Sequence, residues 1–336
     1  GSVRMQVDIG DVSVLPGSLP LIIDAPHGGR VKTGWPRRTS GNVISDANTD
    51  VFAEELRAEL GRRCQNRLPT AIIFRVHRQG VDANRATGRD IETADGEPCS
   101  SQSSSECCCD IVDDGAAELA MQVNDEYQRL LAQQVSEAKG QALLFNLHGT
   151  SKNRLEVGLE LSKWRLNRAA SLSPPSFSSY DEQYSSLRAL GSLSEMAWGN
   201  TSLGALMSAA RPDLEVVPSP ELLCPDPTVC LGSSYTTYFS GGHNTKVHTN
   251  STHPGVQFEL PKDMRGVGTR APQPEAVRQV GAALAGFLNK YFSESCEADV
   301  SYNGTTPAAP TPAPADYTSP APTPAPTPAP TPAPTP

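Results

Sequence analysis

The stretches LIIDAPHGG (residues 21–29) and ALLFNLHGT (residues 142–150) decide the fold. Each is an apolar run that stops at a histidine followed by glycine. An apolar run bounded by a turn signal is the pattern of a strand buried on both faces. His27 and His148 then emerge from the ends of two buried strands. In an open α/β sheet, that rim is where ligands bind. Two imidazoles there, with a nearby carboxylate, are what a catalytic zinc needs.

Outward from these two runs, strands and helices alternate. Leu19 to Asp24, Ala71 to Val76, Ala142 to Leu147, Leu155 to Leu161 and Val256 to Leu260 read as strands. Thr49 to Cys64 has helical spacing, with Phe52, Leu56 and Leu60 on one face. Ala116 to Ala138 reads as a long amphipathic helix, and Pro274 to Phe292 as a closing helix with proline in its first turn. Apolar strands interleaved with helices predict an α/β fold, a mostly parallel or mixed sheet covered by helices on both faces. Two stretches break the rhythm, a Cys- and Ser-rich one at about 88–114 and a Ser-rich one at about 165–190. Both are expected to be surface insertions.

The chain has 336 residues, with 38% hydrophobic and 19% charged. Both fractions fall below the globular average because the C-terminus is almost entirely Pro, Thr and Ala. The organisation expected is a folded domain over 1–298 and a tail over 299–336. The TPAP repeats of the tail fix φ and remove donors, so an extended polyproline II segment is expected. A net charge of −9 without a basic stripe argues against nucleic acid as a partner. No run of 18 apolar residues is present, so no membrane span is expected. The polar start GSVRMQVDIG lacks the core of a signal peptide, so a secreted chain would have lost its signal already.

The cysteines favour secretion. Eight of them, Cys64, Cys99, Cys107, Cys108, Cys109, Cys224, Cys230 and Cys296, are scattered over loops, which suits disulfides better than a metal cluster. Cys224 and Cys230 are expected to close a small loop. Cys107 to Cys109 are expected to reach Cys64, Cys99 or Cys296 rather than one another. Sequons at Asn200, Asn250 and Asn303 agree with an extracellular or cell-wall-associated glycoprotein.

The candidate chemistry gathers around the two histidines. Asp46 and Asp50, in SDANTDVF, sit at the entrance of the first helix. Asp50 is the first choice as third zinc ligand, with Asp46 as the alternative or as a group behind the ligands. Such a set leaves a position open for water, as in hydrolytic zinc sites. Glu259, in VQFEL, is a carboxylate inside an apolar strand, which is costly unless it is used or paired. It is the candidate general base, the alternative being a salt bridge to Lys262 or Arg265. RVHRQGVDANR supplies Arg75, Arg78 and Arg85. Arginine grips a carboxylate through a bidentate fork. Asn84 and Arg85, with Arg75 nearby, are therefore candidates for substrate binding, Asp82 orienting the arginine. His77 is a candidate to stand behind the ligands, His243 to line the pocket, and His248 and His253 to be surface residues. The nucleophile elbow, the phosphate-binding loop and the dinucleotide fingerprint are missing.

In order, PHGG, the SDANTD segment, R-x5-VDANR, an apolar strand ending in HG, and VQFEL resemble the N-formylglutamate amidohydrolase family, over roughly residues 20–290. The resemblance implies a fold like the zinc carboxypeptidases and a zinc-dependent amidohydrolase. It places the metal on His27, on Asp46 or Asp50, and on His148, the substrate carboxylate on Asn84 and Arg85, and the general base on Glu259. The implied substrate is a small acylated amino acid or peptide-like molecule. The tail resembles the hydroxyproline-rich, glycosylated stalks of plant and algal walls. It keeps open a structural alternative, an extracellular filament or wall subunit that reuses a hydrolase fold and assembles through a glycosylated tail. A binding module with a decayed site is a third reading.

Overall fold

The computed structural model describes residues 11–87, 107–224, 238–269 and 271–299. Among them a seven-stranded sheet forms the centre, in the order β1-β3-β2-β4-β7-β5-β6. Its strands are β1 (Val12–Leu15), β2 (Leu21–Ala25), β3 (Thr70–Phe74), β4 (Leu143–Gly149), β5 (Leu155–Gly158), β6 (Val216–Val217) and β7 (Gly255–Leu260). The four central strands β3, β2, β4 and β7 run parallel. β1 joins antiparallel on β3, and β5 antiparallel on β7, so the sheet is mixed. β2, β3 and β7 are buried at every residue; in β2 and β3 this gives nearly continuous apolar runs, whereas β7 alternates apolar residues with the buried Gln257 and Glu259.

Two apolar layers cover the sheet. On one face lie α1 (Thr49–Arg63) and α8 (Pro274–Tyr291), whose Phe52, Leu56, Leu60, Val280, Leu284 and Phe287 pack onto Ile23, Phe145 and Phe258. On the other lies α2 (Asp114–Glu137), whose Met121, Tyr127 and Leu131 pack onto Ile22, Ile72, Phe74 and Leu144. Asp113 caps α2 by accepting from the Ala116 amide at 2.7 Å. Asp50 in the first turn of α1 and Arg62 and Arg63 in its last complement the helix dipole.

The expected strands and the three long helices are present, with ends displaced by up to about three residues. The short β1 and β6 were not legible, and neither were the short helices α3 (Lys163–Ala170), α4 (Ser179–Glu182), α5 (Leu193–Trp198), α6 (Leu203–Ala210) and α7 (His243–His248). Within the Ser-rich stretch 165–190, Leu166, Ala169 and Leu187 are buried, and Ser178 caps the short helix α4. Most of the Cys-rich stretch, 88–106, lies outside the described residues.

Cys64 and Cys296 form a disulfide that ties α1 to the segment after α8. Cys108 and Cys109 are joined to each other, contrary to the expectation that adjacent cysteines look elsewhere. Cys107 and Cys224 are disulfide-bonded too, whereas Cys99 and Cys230 lie outside the described residues. So do Asn303 and residues 300–336 of the tail. The sequon asparagines Asn200 and Asn250 are exposed. No described helix is long and apolar enough to cross a membrane.

Candidate metal centre

From β2 the chain runs to β3 on one side, and β4 lies on the other side of β2. Strand order therefore reverses between β2 and β4, and the carboxyl ends of these two strands open a crevice there. His27 follows β2 and His148 lies near the end of β4. Their rings meet edge to face, with centroids 4.7 Å apart. The two glycines after them are a packing requirement. A Cβ on Gly28 would meet the Asp50 backbone nitrogen at 2.2 Å, and one on Gly149 would meet the Arg265 guanidinium at 2.2 Å.

The third member is Asp46. Helix α1 starts at Thr49, after Asn48 in the left-handed region (φ 68°), so Asp46 precedes the helix instead of sharing a face with Asp50. The Asp46 amide donates to the His27 carbonyl at 3.0 Å, which folds the segment back over the histidine. Its Oδ2 then lies 3.3 Å from His27 Nδ1 and 3.2 Å from His148 Nδ1, and accepts from the Gly149 amide at 3.0 Å. These ligand atoms all fall within 4.8 Å of one another, and all three residues are buried. Asp50, the first choice from sequence, is outside the group; its Oδ2 lies 3.7 Å from Arg30 Nε.

The far nitrogens of both rings are already engaged. His27 Nε2 lies 2.7 Å from Asp82 Oδ1. Asp82 also takes Arg78 Nη2 at 2.9 Å and the Asn84 amide at 3.2 Å, so its carboxylate is an acceptor throughout. His148 Nε2 lies 2.5 Å from Asn146 Oδ1. These acceptors favour the tautomer with the proton on Nε2 in both rings, which turns the Nδ1 lone pairs toward Asp46. Three lone-pair donors facing one another call for a cation or a shared proton between them. This donor set fits a divalent metal, with ring nitrogens oriented from behind as in carboxylate–histidine–metal arrangements. Burial lowers His148 to about 4, which keeps its ring neutral. Burial would raise Asp46, but contact with His148 and His27 outweighs it and holds the carboxyl well below its usual range.

Glu259 stands beside this group. In the β4–β7 register it is the partner of His148. It forms no salt bridge among the described residues, and Gln257 Nε2 donates to it at 2.7 Å. Arg265 instead donates to the carbonyls of Leu260, Ala47 and Thr150. Burial, followed by the charge of Asp46, pushes Glu259 up to about 8.

A cleft of about 650 Å³ opens over these residues and is lined also by Arg78, Arg85, Phe239, His243 and Lys246. A somewhat larger cleft, about 720 Å³, lies at the amino ends of β2 and β3 and contains none of them. Open sheets bind ligands at the carboxyl ends, so the smaller cleft is the candidate site.

The arginines separate. Arg85 lines the cleft. Arg75 does not: it bonds Ser13 and pairs with Glu54 elsewhere on the surface. Asp82 holds Arg78, with Nε donating at 3.0 Å, where the sequence suggested Arg85. Asn84 is committed as well, its Oδ1 accepting from the Asn244 amide at 2.8 Å and its Nδ2 lying 3.2 Å from His148 Nε2. His243 lines the cleft, and His77 stays outside it, its Nδ1 accepting from the Gln79 amide. His248 is buried against Gln128 rather than lying on a surface loop. Sequence reasoning missed Asp82 as the partner of His27, and the buried Asp24, Tyr127, Asn146 and Asn244 beneath His148.

No family model matches the chain, and no curated protein matches it significantly. Among solved structures, the N-formylglutamate amidohydrolase from Ralstonia eutropha JMP134 superposes with a TM-score of 0.48 at 12% identity, over 82% of this chain and 96% of its own. A gene product from Agrobacterium tumefaciens superposes with a TM-score of 0.41 at 13% identity, over 84% and 92%. Similarities of this size say nothing about activity.

Proposed function

We propose that this chain is a zinc-dependent amidohydrolase that cleaves an amide bond in a small acylated amino acid or peptide-like substrate bearing a carboxylate. The observation that carries this reading is the convergence of His27 Nδ1, His148 Nδ1 and Asp46 Oδ2, with both Nε2 atoms engaged from behind. Bound there, a divalent zinc supplies Lewis acidity and a water acidic enough to serve as nucleophile near neutral pH.

The residues around the group suit the remaining tasks. Glu259 is the proton carrier. A carboxyl raised toward neutrality by burial can hold a proton at Oε and return it to a leaving nitrogen. Arg85 and Lys246 on the cleft wall give a substrate carboxylate a cationic seat, Arg85 taking the clamp role. Asn84 acts here as a support for His148 and for the first turn of α7 at Asn244. The buried surroundings of the group exclude water and strengthen each electrostatic contact.

We also infer an extracellular setting, with glycans on the exposed Asn200 and Asn250. The buried Cys64–Cys296 disulfide supports it, because such bonds persist in oxidising compartments.

The test is elemental analysis of the purified protein beside its His148→Ala variant, followed by an amidase screen with Glu259→Gln as control. The expected result is about one zinc per chain, lost in the variant, and hydrolysis that Glu259→Gln abolishes. A protein without zinc, whose activity is untouched by Glu259→Gln, would overturn the reading.

A further inference from the structure

Beneath the candidate metal centre lies a buried polar group that no step above uses. Asp24 is on β2 and Asn146 on β4, and the parallel register makes them direct partners. Both are fully buried. The Asn146 Nδ2 donates to Asp24 Oδ2, and the Tyr127 hydroxyl to Asp24 Oδ1. Asn244 Nδ2 donates to Asp24 Oδ2 at 3.0 Å. Three donors thus converge on one carboxylate in the middle of a sheet. Such a group is costly to bury unless it orders something.

What it orders is the direction of the Asn146 amide. An ionised carboxylate only accepts, so the NH2 end of Asn146 must face Asp24. The carbonyl end then faces the other way, toward His148 Nε2 at 2.5 Å. Asn146 and His148 are two apart on β4, so their side chains leave the same face. A carbonyl acceptor at Nε2, closer than the opposing Asn84 amide nitrogen at 3.2 Å, favours the Nε2–H tautomer, which leaves the Nδ1 lone pair 3.2 Å from Asp46 Oδ2. Were the Asn146 amide reversed, its NH2 would meet Nε2, favour the opposite tautomer and place a proton where a ligand lone pair is needed.

We propose that Asp24 and Asn146 are positioning residues that act through His148, a carboxylate–amide relay from β2 that fixes the ring tautomer and so creates the Nδ1 ligand. Tyr127 and Asn244 hold the carboxylate in place. The relay rests on the proposed function above only in the identity of the cation that Nδ1 meets; the tautomer it sets is a property of the protein itself. Residues of this kind typically contribute 10–100-fold to metal affinity.

Two measurements test it. The first compares wild type and Asp24→Asn without metal, their histidines labelled with 15N. The His148 ring, assigned by its loss in His148→Ala, is expected to carry its proton on Nε2 for a smaller share of the time in Asp24→Asn than in wild type. An equal share in the two proteins overturns the relay whatever the protein binds. The second titrates zinc into wild type, Asp24→Asn and the double variant Asp24→Asn/Asn146→Asp, with thermal melting to establish that each is folded. Asp24→Asn loses the acceptor that orients Asn146, and its zinc dissociation constant is expected to rise 10–100-fold. The double variant exchanges carboxylate and amide, restores an acceptor at Nε2, and is expected to recover most of that loss. A merely structural role would lower the melting temperature of both variants without this recovery. Unchanged zinc affinity in Asp24→Asn overturns the relay and leaves the metal centre standing. Wild type that takes up no zinc overturns the metal centre and the ligand role of Nδ1 with it, leaving the tautomer measurement to decide the relay.

Discussion

Replacing Glu259 by glutamine in the metal-free protein isolates the energetic burden of the proposed proton carrier. In the folded chain this carboxyl is pushed up to about 8 from an ordinary value of 4.5, by burial first and then by the charge of Asp46, with Gln257 acting in the opposite sense. Below pH 4.5 the group is protonated in both the folded and unfolded chain, so it contributes nothing to stability. Above that pH the unfolded chain releases the proton while the folded chain keeps it, and each further pH unit costs the folded state about 1.4 kcal/mol. The cost stops growing at about pH 8, where the folded carboxyl ionises too. Between pH 5 and pH 8 the accumulated burden is roughly 3–4 kcal/mol, a large part of a typical domain's stability. Glutamine has the same shape, still accepts from Gln257, and has no proton to lose. The stability gained by Glu259→Gln over wild type should therefore increase by that amount as the pH rises from 5 to 8. Urea unfolding of both proteins at four pH values, with chelator present, measures the gap. A gap that is independent of pH, or that narrows as pH rises, would refute the account of a carboxyl strained by its surroundings.

Asp46→Asn should abolish stoichiometric zinc while Asp50→Asn leaves it in place, because only Asp46 lies against both histidines; metal analysis of the two variants decides between them. Replacing Cys64 and Cys296 together by alanine opens a closure of 232 residues and should cost up to about 5 kcal/mol, read as a lower denaturation midpoint. Asp113→Ala removes the side-chain acceptor at the start of α2 and should cost about 1 kcal/mol in the same assay, with zinc content unchanged.

The sequence by itself determined the frame. Unbroken apolar runs located the parallel strands, and helical spacing located α1, α2 and α8, because burial on one or both faces imposes its period directly on the chain. The paired histidine–glycine endings marked where the site would open, and Glu259 stood out because a carboxylate inside an apolar strand has no cheap explanation. Short elements stayed hidden: β1, β6 and α3 to α7 are too brief to show a period, and they are held by tertiary packing. What only the tertiary structure decided is which polar atoms meet. Asp46 rather than Asp50 joins the histidines because α1 begins three residues after it and the chain folds back onto the His27 carbonyl. Asp82 serves His27 across 55 residues of sequence, and Asp24 reaches His148 through Asn146 across 122. Such meetings are fixed by strand register and by the order of strands in the sheet. Neither leaves a local mark, since an aspartate buried beneath a site has the same neighbours in sequence as one that faces water.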